Sequence, residues 1–133
     1  MNPAIENTID DYPEKAKVKF YEIRSLILEV ARDNGLGDID ETLKWGQPSY
    51  LSKSGSTIRL DWQQKTPNSI SVFFNCKTIL VETFKEVFGE SLVYEGNRIV
   101  LVPLDKECPQ ELETCILMAL NYHKLKHLPL LGA

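Results

Sequence analysis

The chain of 133 residues falls within the usual length of one domain and is long enough to bury a single hydrophobic core. Its charged and apolar fractions, 26% and 43%, are those of a globular protein, and no apolar run reaches the roughly 18 residues that cross a membrane. Residues 1–41 hold ten acidic against five basic side chains, and residues 42–133 hold nine against ten. A nucleic-acid binder usually shows a basic stripe, so neither nucleic acid nor membrane is expected as a partner.

Cysteine content and the first residues both favour the cytoplasm. Cys76, Cys108 and Cys115 are an odd number without CxxC spacing, so neither a disulfide framework nor a thiol-rich zinc site is expected. The stretch from Met1 to Pro13 lacks the basic and apolar regions of a signal peptide. We therefore expect a cytoplasmic protein.

The first predicted element is a helix from Pro13 to about Asp33, with Asp10 and Asp11 as candidate caps. Gly35 supplies the left-handed residue that ends it. Apolar residues recur along this segment at steps of three and four, as in a helix lying on a core. These residues are Phe20, Ile23, Leu26, Ile27 and Val30.

The stretch ETLKWGQPSY predicts a strand that turns sharply. Glu41 to Trp45 is expected to be extended, the chain bends through Gly46-Gln47-Pro48, and Ser49 to Ser52 resumes an extended path. Lys53-Ser54-Gly55 then predicts a hairpin turn. A chain turned in this way is a candidate for presenting side chains to a ligand.

Two strands with clear alternation follow, Thr57 to Gln63 and Ser69 to Asn75. One face of each is apolar and is expected to enter the core: Ile58, Leu60 and Trp62 in the first, Ile70, Val72 and Phe74 in the second. The other face carries Thr57, Arg59, Asp61, Gln63, Ser71, Phe73 and Asn75. Phe73 breaks the pattern, and either it floors a binding surface or a loop covers it.

The rest of the chain predicts two helices and a hairpin. Lys77 to Phe88 is amphipathic and ends at Gly89, and Leu92–Tyr94 with Arg98–Val102 predicts a hairpin around a Gly-Asn turn. Pro109 opens a last helix, which frays near Leu128. Its expected buried stripe is Leu112, Cys115, Ile116, Ala119 and Leu120. Together these elements indicate an α+β fold.

The elements expected to meet near the bend carry a group of polar side chains. Lys44, Tyr50, Arg59, Asp61 and Asn75 would project from the open side of the sheet. Arg59 offers a planar fork for a carboxylate or phosphate, and Lys44 offers a point charge. The alternative is that Arg59 and Asp61 pair with cross-strand neighbours. With Trp45 of the bend and Phe73, these residues form the candidate ligand site.

Signatures of catalysis and of cofactor binding are missing. Neither GxSxG nor GxGxxG nor GxxxxGK[ST] occurs. Cys76 at a helix start is interpreted as a packed small hydrophobe rather than a reactive thiolate. His123 and His127, four residues apart, are interpreted as helix C-terminal residues rather than metal ligands. A protein that is not an enzyme is expected.

The motifs ETLKWGQPSYL, SGSTIRLDW, FFNCKT, YEGNRIV and CILMALNYHKLK together resemble the YdhG-like domain family, which is of unknown function. The likeness runs from Tyr12 to Lys126. It implies a single domain over residues 1–133, with its core at about 12–126 and flexible ends at 1–9 and 128–133. It also implies an antiparallel sheet of about five to six strands and three helices, with the N-terminal and C-terminal helices over one face.

The resemblance suggests an alternative function as well, because some relatives are described as frataxin-like iron chaperones. Such a protein would bind iron on acidic residues of the first helix and first strand, and hard oxygen ligands suit that cation. The residues implied are Asp10, Asp11, Glu14, Asp38, Asp40 and Glu41.

Three hypotheses therefore follow. The first is a non-enzymatic binding domain that holds a small polar or anionic ligand, or a partner segment, beside the bend. The second is iron binding by the acidic residues. The third is an acid-base enzyme that uses Asp61 with Tyr50, which requires a closed pocket and a raised carboxylate pKa.

Overall fold

One antiparallel sheet of six strands, in the order β1-β2-β3-β4-β6-β5, is the framework of the protein. The computed structural model describes all residues from 1 to 133. The strands are β1 (Asp40–Lys44), β2 (Gln47–Leu51), β3 (Ile58–Trp62), β4 (Ser69–Phe73), β5 (Val93–Glu95) and β6 (Ile99–Pro103). The helices are α1 (Pro3–Asp10), α2 (Glu14–Asp33), α3 (Leu80–Phe88), α4 (Glu111–Leu120) and α5 (Tyr122–Leu125), with short 3-10 turns at Gly89–Ser91 and Pro129–Gly132.

The predicted α+β class is confirmed, with five helices in place of three. Helices α2 and α4 pack on each other and on β3, and α2 also packs on β4. The α2 residues Phe20, Ile23, Ile27 and Val30 are buried as the spacing predicts, and so is the stripe of α4. None of the helices combines the length with the apolar composition that crossing a bilayer requires.

The two ends of the chain are more ordered than the sequence predicts. Residues expected to be a flexible end form α1, which Asn2 caps by accepting a hydrogen bond from the Ala4 amide at 2.8 Å. Ile5 and Ile9, one turn apart, are fully buried against β1 and β2. Neither Asp10 nor Asp11 caps α2, because α1 occupies their segment and α2 begins directly after Pro13. At the other end, Leu131 is buried in the core.

The tight turn between β1 and β2 lies two residues earlier than the sequence predicts. Trp45 and Gly46 form it, with φ of 54° and 74°, and Lys44 pairs with Gln47. Positive φ at both central residues is the geometry of a mirror-image hairpin turn, whose twist matches that of the strands it joins. Pro48 is therefore a strand residue opposite Leu43, and Trp45 is a turn residue rather than the end of β1.

The register divides the sheet into two faces. The core face, packed under the helices, includes Tyr50, Ile58, Leu60, Ile70, Val72, Val100 and Val102. The outer face includes Lys44, Ser49, Arg59, Asp61, Ser71, Phe73, Ile99 and Leu101. Phe73 and Ile99 are buried but lie outside the main hydrophobic cluster. The alternation predicted for β3 is therefore observed: its apolar residues lie on the core face and its polar residues on the outer face.

The turn between β2 and β3 is held against the end of α4. The amide of Ser56 donates to the carbonyl of Ala119 at 2.8 Å, and the amide of His123 donates to the carbonyl of Ser54 at 2.9 Å. The Ser52 hydroxyl donates to the carbonyl of Leu120. A side chain at Gly55 would bring its Cβ to 2.6 Å from that same carbonyl oxygen. Only glycine fits between the turn and the helix.

We expect Gly55→Ala to lower the free energy of unfolding by about 2–3 kcal/mol, because overpacking against backbone cannot relax by a rotamer change. Gly37→Ala is the matched control, since Gly37 has a φ of 78° but open space around its Cβ position. It should cost only the backbone strain of about 1 kcal/mol. Urea unfolding of the two variants measures the difference, and equal losses would contradict the close approach.

Candidate functional site

A recess of about 240 Å³ lies between the tip of the β1–β2 hairpin and the ends of β3, β4 and β6. The hairpin contributes Lys44 and Trp45, and the other strands and their flanking turns contribute the rest of the lining. These lining residues are Thr57, Arg59, Phe74, Asn75, Cys76 and Arg98. Four of the seven predicted ligand-site residues, Lys44, Trp45, Arg59 and Asn75, therefore line one recess.

Three cations face this recess without a counterion of the protein. Lys44, Arg59 and Arg98 take part in none of the six ion pairs of the structure. The lining contains no Asp, Glu or His. Of the two suggested cross-strand pairings, that of Asp61 forms with Gln47 of β2. The Arg59 side chain makes no ion pair or hydrogen bond and lies over its cross-strand partner Phe73, so the donors of the Arg59 and Arg98 guanidinium groups remain free for a ligand.

Phe73 orders the two arginines. The guanidinium carbons of Arg59 and Arg98 each lie 5.8 Å from the centroid of the Phe73 ring, so they are at most 11.6 Å apart. Arg59 is the cross-strand partner of Phe73, and the amide of Phe74 donates to the carbonyl of Arg98 at 2.7 Å. Phe73 is only 4% exposed and does not line the recess, so of the two alternatives the ring is covered and does not floor a binding surface. It supports the arginines and leaves their charge uncompensated.

Asn75 begins a tight turn that leads from β4 to α3. Its Oδ1 accepts from the amide of Lys77 at 2.9 Å, which leaves the two Nδ2 protons available to the recess. Cys76 is exposed, so its interpretation as a packed hydrophobe is wrong. The reason is that α3 begins at Leu80, three residues later than predicted, and Cys76 lies in the turn.

Tyr50 does not belong to the site, which corrects its prediction as a ligand contact. It lies on the core face with no exposed surface, beside the ion pair between Arg24 and Glu41. Burial and the neighbouring Glu41 carboxylate raise the pKa of Tyr50 well above its usual value. Tyr50 points inward because it is the cross-strand partner of Ile58, a core-face residue of β3, and paired residues share a face of the sheet.

Asp61 lies on the outer face but outside the lining of the recess. Its carboxylate accepts from the Tyr12 hydroxyl at 3.0 Å and from Gln47 Nε2 at 3.2 Å. Burial raises the pKa of Asp61, and these hydrogen bonds oppose part of that increase. The acid-base pair of Asp61 with Tyr50 does not form, because the two side chains point to opposite faces of the sheet.

The six acidic residues of the iron hypothesis do not form one ligand group. Asp10 and Glu14 lie near Lys17, at 4.0 and 3.8 Å, and Asp11, Asp38 and Asp40 are exposed. Glu41 accepts two hydrogen bonds from Arg24, at 2.6 and 3.1 Å. No three His, Cys, Asp or Glu side chains come close enough together to hold a metal ion, and this includes His123 and His127.

A larger but shallow groove of about 680 Å³ runs along the outside of α2. Val18, Tyr21 and Leu26 contribute apolar surface to it. Of its polar groups, Glu22 is already bonded, to Lys19 at 3.0 Å and to the Cys108 thiol at 3.6 Å, and Ser25 and Glu29 also line it. The groove contains no arginine or lysine, whereas the smaller recess is lined by three such cations.

The sequence analysis missed four lining residues, Thr57, Phe74, Cys76 and Arg98, of which Arg98 is the charged one. Arg98 follows the Gly96-Asn97 turn, which Lys85 of α3 holds by donating to Gly96 and Asn97 at 2.9 and 3.0 Å. Its neighbour Ile99 pairs with Phe73, and Phe73 pairs with Arg59. Only the order of the strands brings Arg98 next to Phe73, so no local pattern could have identified it.

Comparison with protein-family models, curated proteins and solved structures finds no match to this chain. The resemblance to the YdhG-like domain family therefore stays a prediction. The site has to be interpreted from its own geometry.

We expect Glu41→Gln to lower stability by about 1–3 kcal/mol at pH 7, because it removes a charged hydrogen-bonded partner of Arg24. Burial alone would raise the pKa of Glu41, but the hydrogen bonds and charge of Arg24 outweigh it and lower the pKa. The folded pKa is then below the unfolded one, so this stability is present above about pH 4.3 and is lost as the pH falls through the folded pKa.

The measurement is urea unfolding between pH 7 and pH 3. The wild-type and Glu41→Gln curves should converge at the acid end. Glu14→Gln is the control, because the Glu14 side chain is 85% exposed and its removal should change stability by less than about 0.5 kcal/mol. If the difference in unfolding free energy between wild type and Glu41→Gln does not decrease as the pH falls from 7 to 3, the pairing of Glu41 with Arg24 is not its source.

Cys76 reports the local charge of the recess. The quantity to compare is the rate at which anionic iodoacetate alkylates Cys76, divided by the rate for neutral iodoacetamide. We expect this ratio to be about two- to tenfold higher in the wild type than in an Arg59→Gln/Arg98→Gln variant, because the two cations attract the anionic reagent. The ratio of the two reagents cancels the thiolate fraction, which is common to both. Mass spectrometry of the Cys76 peptide gives each rate, and Arg32→Gln, distant on α2, is the control. An unchanged ratio in the double variant would contradict a cationic recess.

Proposed function

We propose that this protein is a non-enzymatic binding domain of the cytoplasm that holds a small anionic ligand in the recess beside the β1–β2 hairpin. The observation that carries this proposal is the convergence of Lys44, Arg59 and Arg98 on one recess without any acidic partner. Three uncompensated positive charges in one place repel one another, so they weaken the fold unless an anion joins them.

The donors of the recess suit a phosphate or carboxylate. Each guanidinium group presents a planar fork that binds two oxygens at once, and Lys44 adds a flexible point charge. Asn75 Nδ2 and the hydroxyl of Thr57 add neutral donors at the same recess. A ligand with several oxygens on one centre would use these donors together.

Binding without chemistry is proposed because the recess lacks a general base. No carboxylate or imidazole lines it, and its thiol, Cys76, has no neighbouring base among the lining residues. Nucleophilic and acid-base catalysis both need such a group within hydrogen-bond reach of the reacting atoms. The recess therefore favours holding an anion over transforming it.

We expect inorganic phosphate and pyrophosphate to shift the NMR signals of the Arg59 and Arg98 side chains and of the Asn75 amide. Arg59→Gln or Arg98→Gln should each weaken pyrophosphate binding by about 10- to 100-fold, the value of one charged hydrogen-bonding group. Phe73→Leu should weaken it less, by about two- to tenfold, because it removes no charge and only releases the arginines from their ring.

Arg32→Gln is the matched control for charge, since the Arg32 side chain is 72% exposed at the end of α2 and far from the recess. Titrations at constant ionic strength, balanced with chloride, separate binding at the recess from general screening. If pyrophosphate shifts no signal of the recess, or if Arg32→Gln weakens it as much as Arg59→Gln, the proposed function fails.

A further inference from the structure

Trp45 is exposed and strained at the rim of the same recess. Its side chain is 90% exposed, the most of any large hydrophobic residue in the chain, and it lies outside the hydrophobic core. Its φ of 54° is in the left-handed region, where a bulky residue costs about 1–2 kcal/mol relative to the ordinary conformation. Asn or Gly would form the same turn without that cost. Neither packing nor turn geometry explains tryptophan here.

Backbone strain combined with exposure of an apolar ring is typical of a residue placed for an interaction. An indole at the edge of a cationic recess offers a flat surface on which another aromatic ring stacks. Such stacking is selective for planar rings and tolerant of their exact substitution. The ligand of the recess would then have two parts, one anionic and one aromatic.

The dimensions support this division. A recess of 240 Å³ is smaller than the roughly 300–1,000 Å³ of sites that enclose a drug-sized molecule. A phosphate fits among Lys44, Arg59 and Arg98, but a complete nucleoside does not fit beside it. The ring of such a ligand would lie outside the recess, against the exposed Trp45.

We infer that the recess binds phosphate monoesters that also carry an aromatic ring, of which nucleoside 5′-monophosphates are the representative class. The phosphate is held by Arg59, Arg98 and Lys44, and the base stacks on Trp45. This inference rests on the anion-binding function proposed above and adds the identity of the second part of the ligand. A longer nucleic acid is not favoured, because the chain has a net charge of −4 and these three cations are confined to one recess.

The test uses adenosine 5′-monophosphate, ribose 5-phosphate and adenosine as probes. Binding is measured by calorimetry and by the indole N–H signal of Trp45. We expect adenosine 5′-monophosphate to bind about 5- to 30-fold more tightly than ribose 5-phosphate, the contribution of one stacked base. Adenosine, which lacks the phosphate, should bind at least tenfold more weakly than the monophosphate.

Two variants of Trp45 measure what its indole ring contributes to binding. Trp45→Gly removes the indole and suits the positive φ, so the turn is kept. It should bring the ratio of the affinities for adenosine 5′-monophosphate and ribose 5-phosphate to about one, because the two ligands then share only the phosphate contacts. Trp45→Phe should retain most of the difference in affinity between adenosine 5′-monophosphate and ribose 5-phosphate. Thermal unfolding confirms that both variants are folded.

The outcomes separate this inference from the function on which it rests. If the two phosphates bind equally and Trp45→Gly changes neither, stacking is wrong while the arginine-dependent anion site stands. If Trp45→Gly weakens both phosphates alike, stacking is also wrong. If none of the probes depends on Arg59 and Arg98, both proposals fail. A ten-residue oligothymidylate that binds more than tenfold tighter than the monophosphate would overturn the inference in favour of a nucleic-acid surface.

Discussion

The register of β3, β4 and β6 is the constraint on which the site depends. It places Arg59, Phe73 and Ile99 in one cross-strand row, so that Arg98, one residue before Ile99, lies beside the same aromatic ring. A slip of one residue in any of these strands would turn Arg59 or Phe73 to the core face. The burial of Leu60, Val72 and Val100 on the core face prevents such a slip. The hydrophobic core therefore fixes the geometry of the cations on the other side of the sheet.

The cations on the two sides of the sheet differ in whether they have partners within the protein. On the core face, Arg24 is matched by Glu41, and Lys19, which is 3% exposed, is bound by Glu22 and by the carbonyl of Lys106. These partly buried cations are satisfied, as the cost of burying an unpaired charge requires. At the recess the three cations lack counterions, and two of them, Arg59 and Arg98, lie against the Phe73 ring instead. The contrast locates the part of the fold where an anion is accommodated best.

The β1–β2 hairpin joins this cationic recess to an apolar ring. β2 pairs with β3 at only two positions, Ser49 with Arg59 and Tyr50 with Ile58, so the tip of the hairpin extends beyond the paired region. The mirror-image turn at its tip reverses the chain within two residues, and it places Lys44 and Trp45 at the recess. A two-residue turn leaves the backbone of Trp45 little freedom, so the direction in which its side chain leaves the chain is nearly fixed before a ligand arrives. Such pre-organisation lowers the entropy cost of binding.

Much of the fold could be predicted from local patterns. The spacing of Phe20, Ile23 and Ile27 indicated a core helix, and the alternation from Ile58 to Trp62 assigned Arg59 to the outer face. The short helix α1 was missed because its buried pair, Ile5 and Ile9, spans a single turn and leaves no longer period to detect. The error at Tyr50 arose because the sequence does not show the register of β2 against β3: Tyr50 pairs with Ile58 of the core face, and paired residues share a face of the sheet.

The sequence by itself determined the α+β class, the outward position of Arg59 and Asn75, and the presence of a sharp turn at Gly46, because each depends on residues close together in the chain. Tertiary structure alone decided the rest. It placed Arg98 beside Phe73, tied Asp61 to Tyr12 and paired Glu41 with Arg24. Those partners are 17 to 49 residues apart in the chain, and contacts over such separations follow from strand order and helix packing, which no local period encodes.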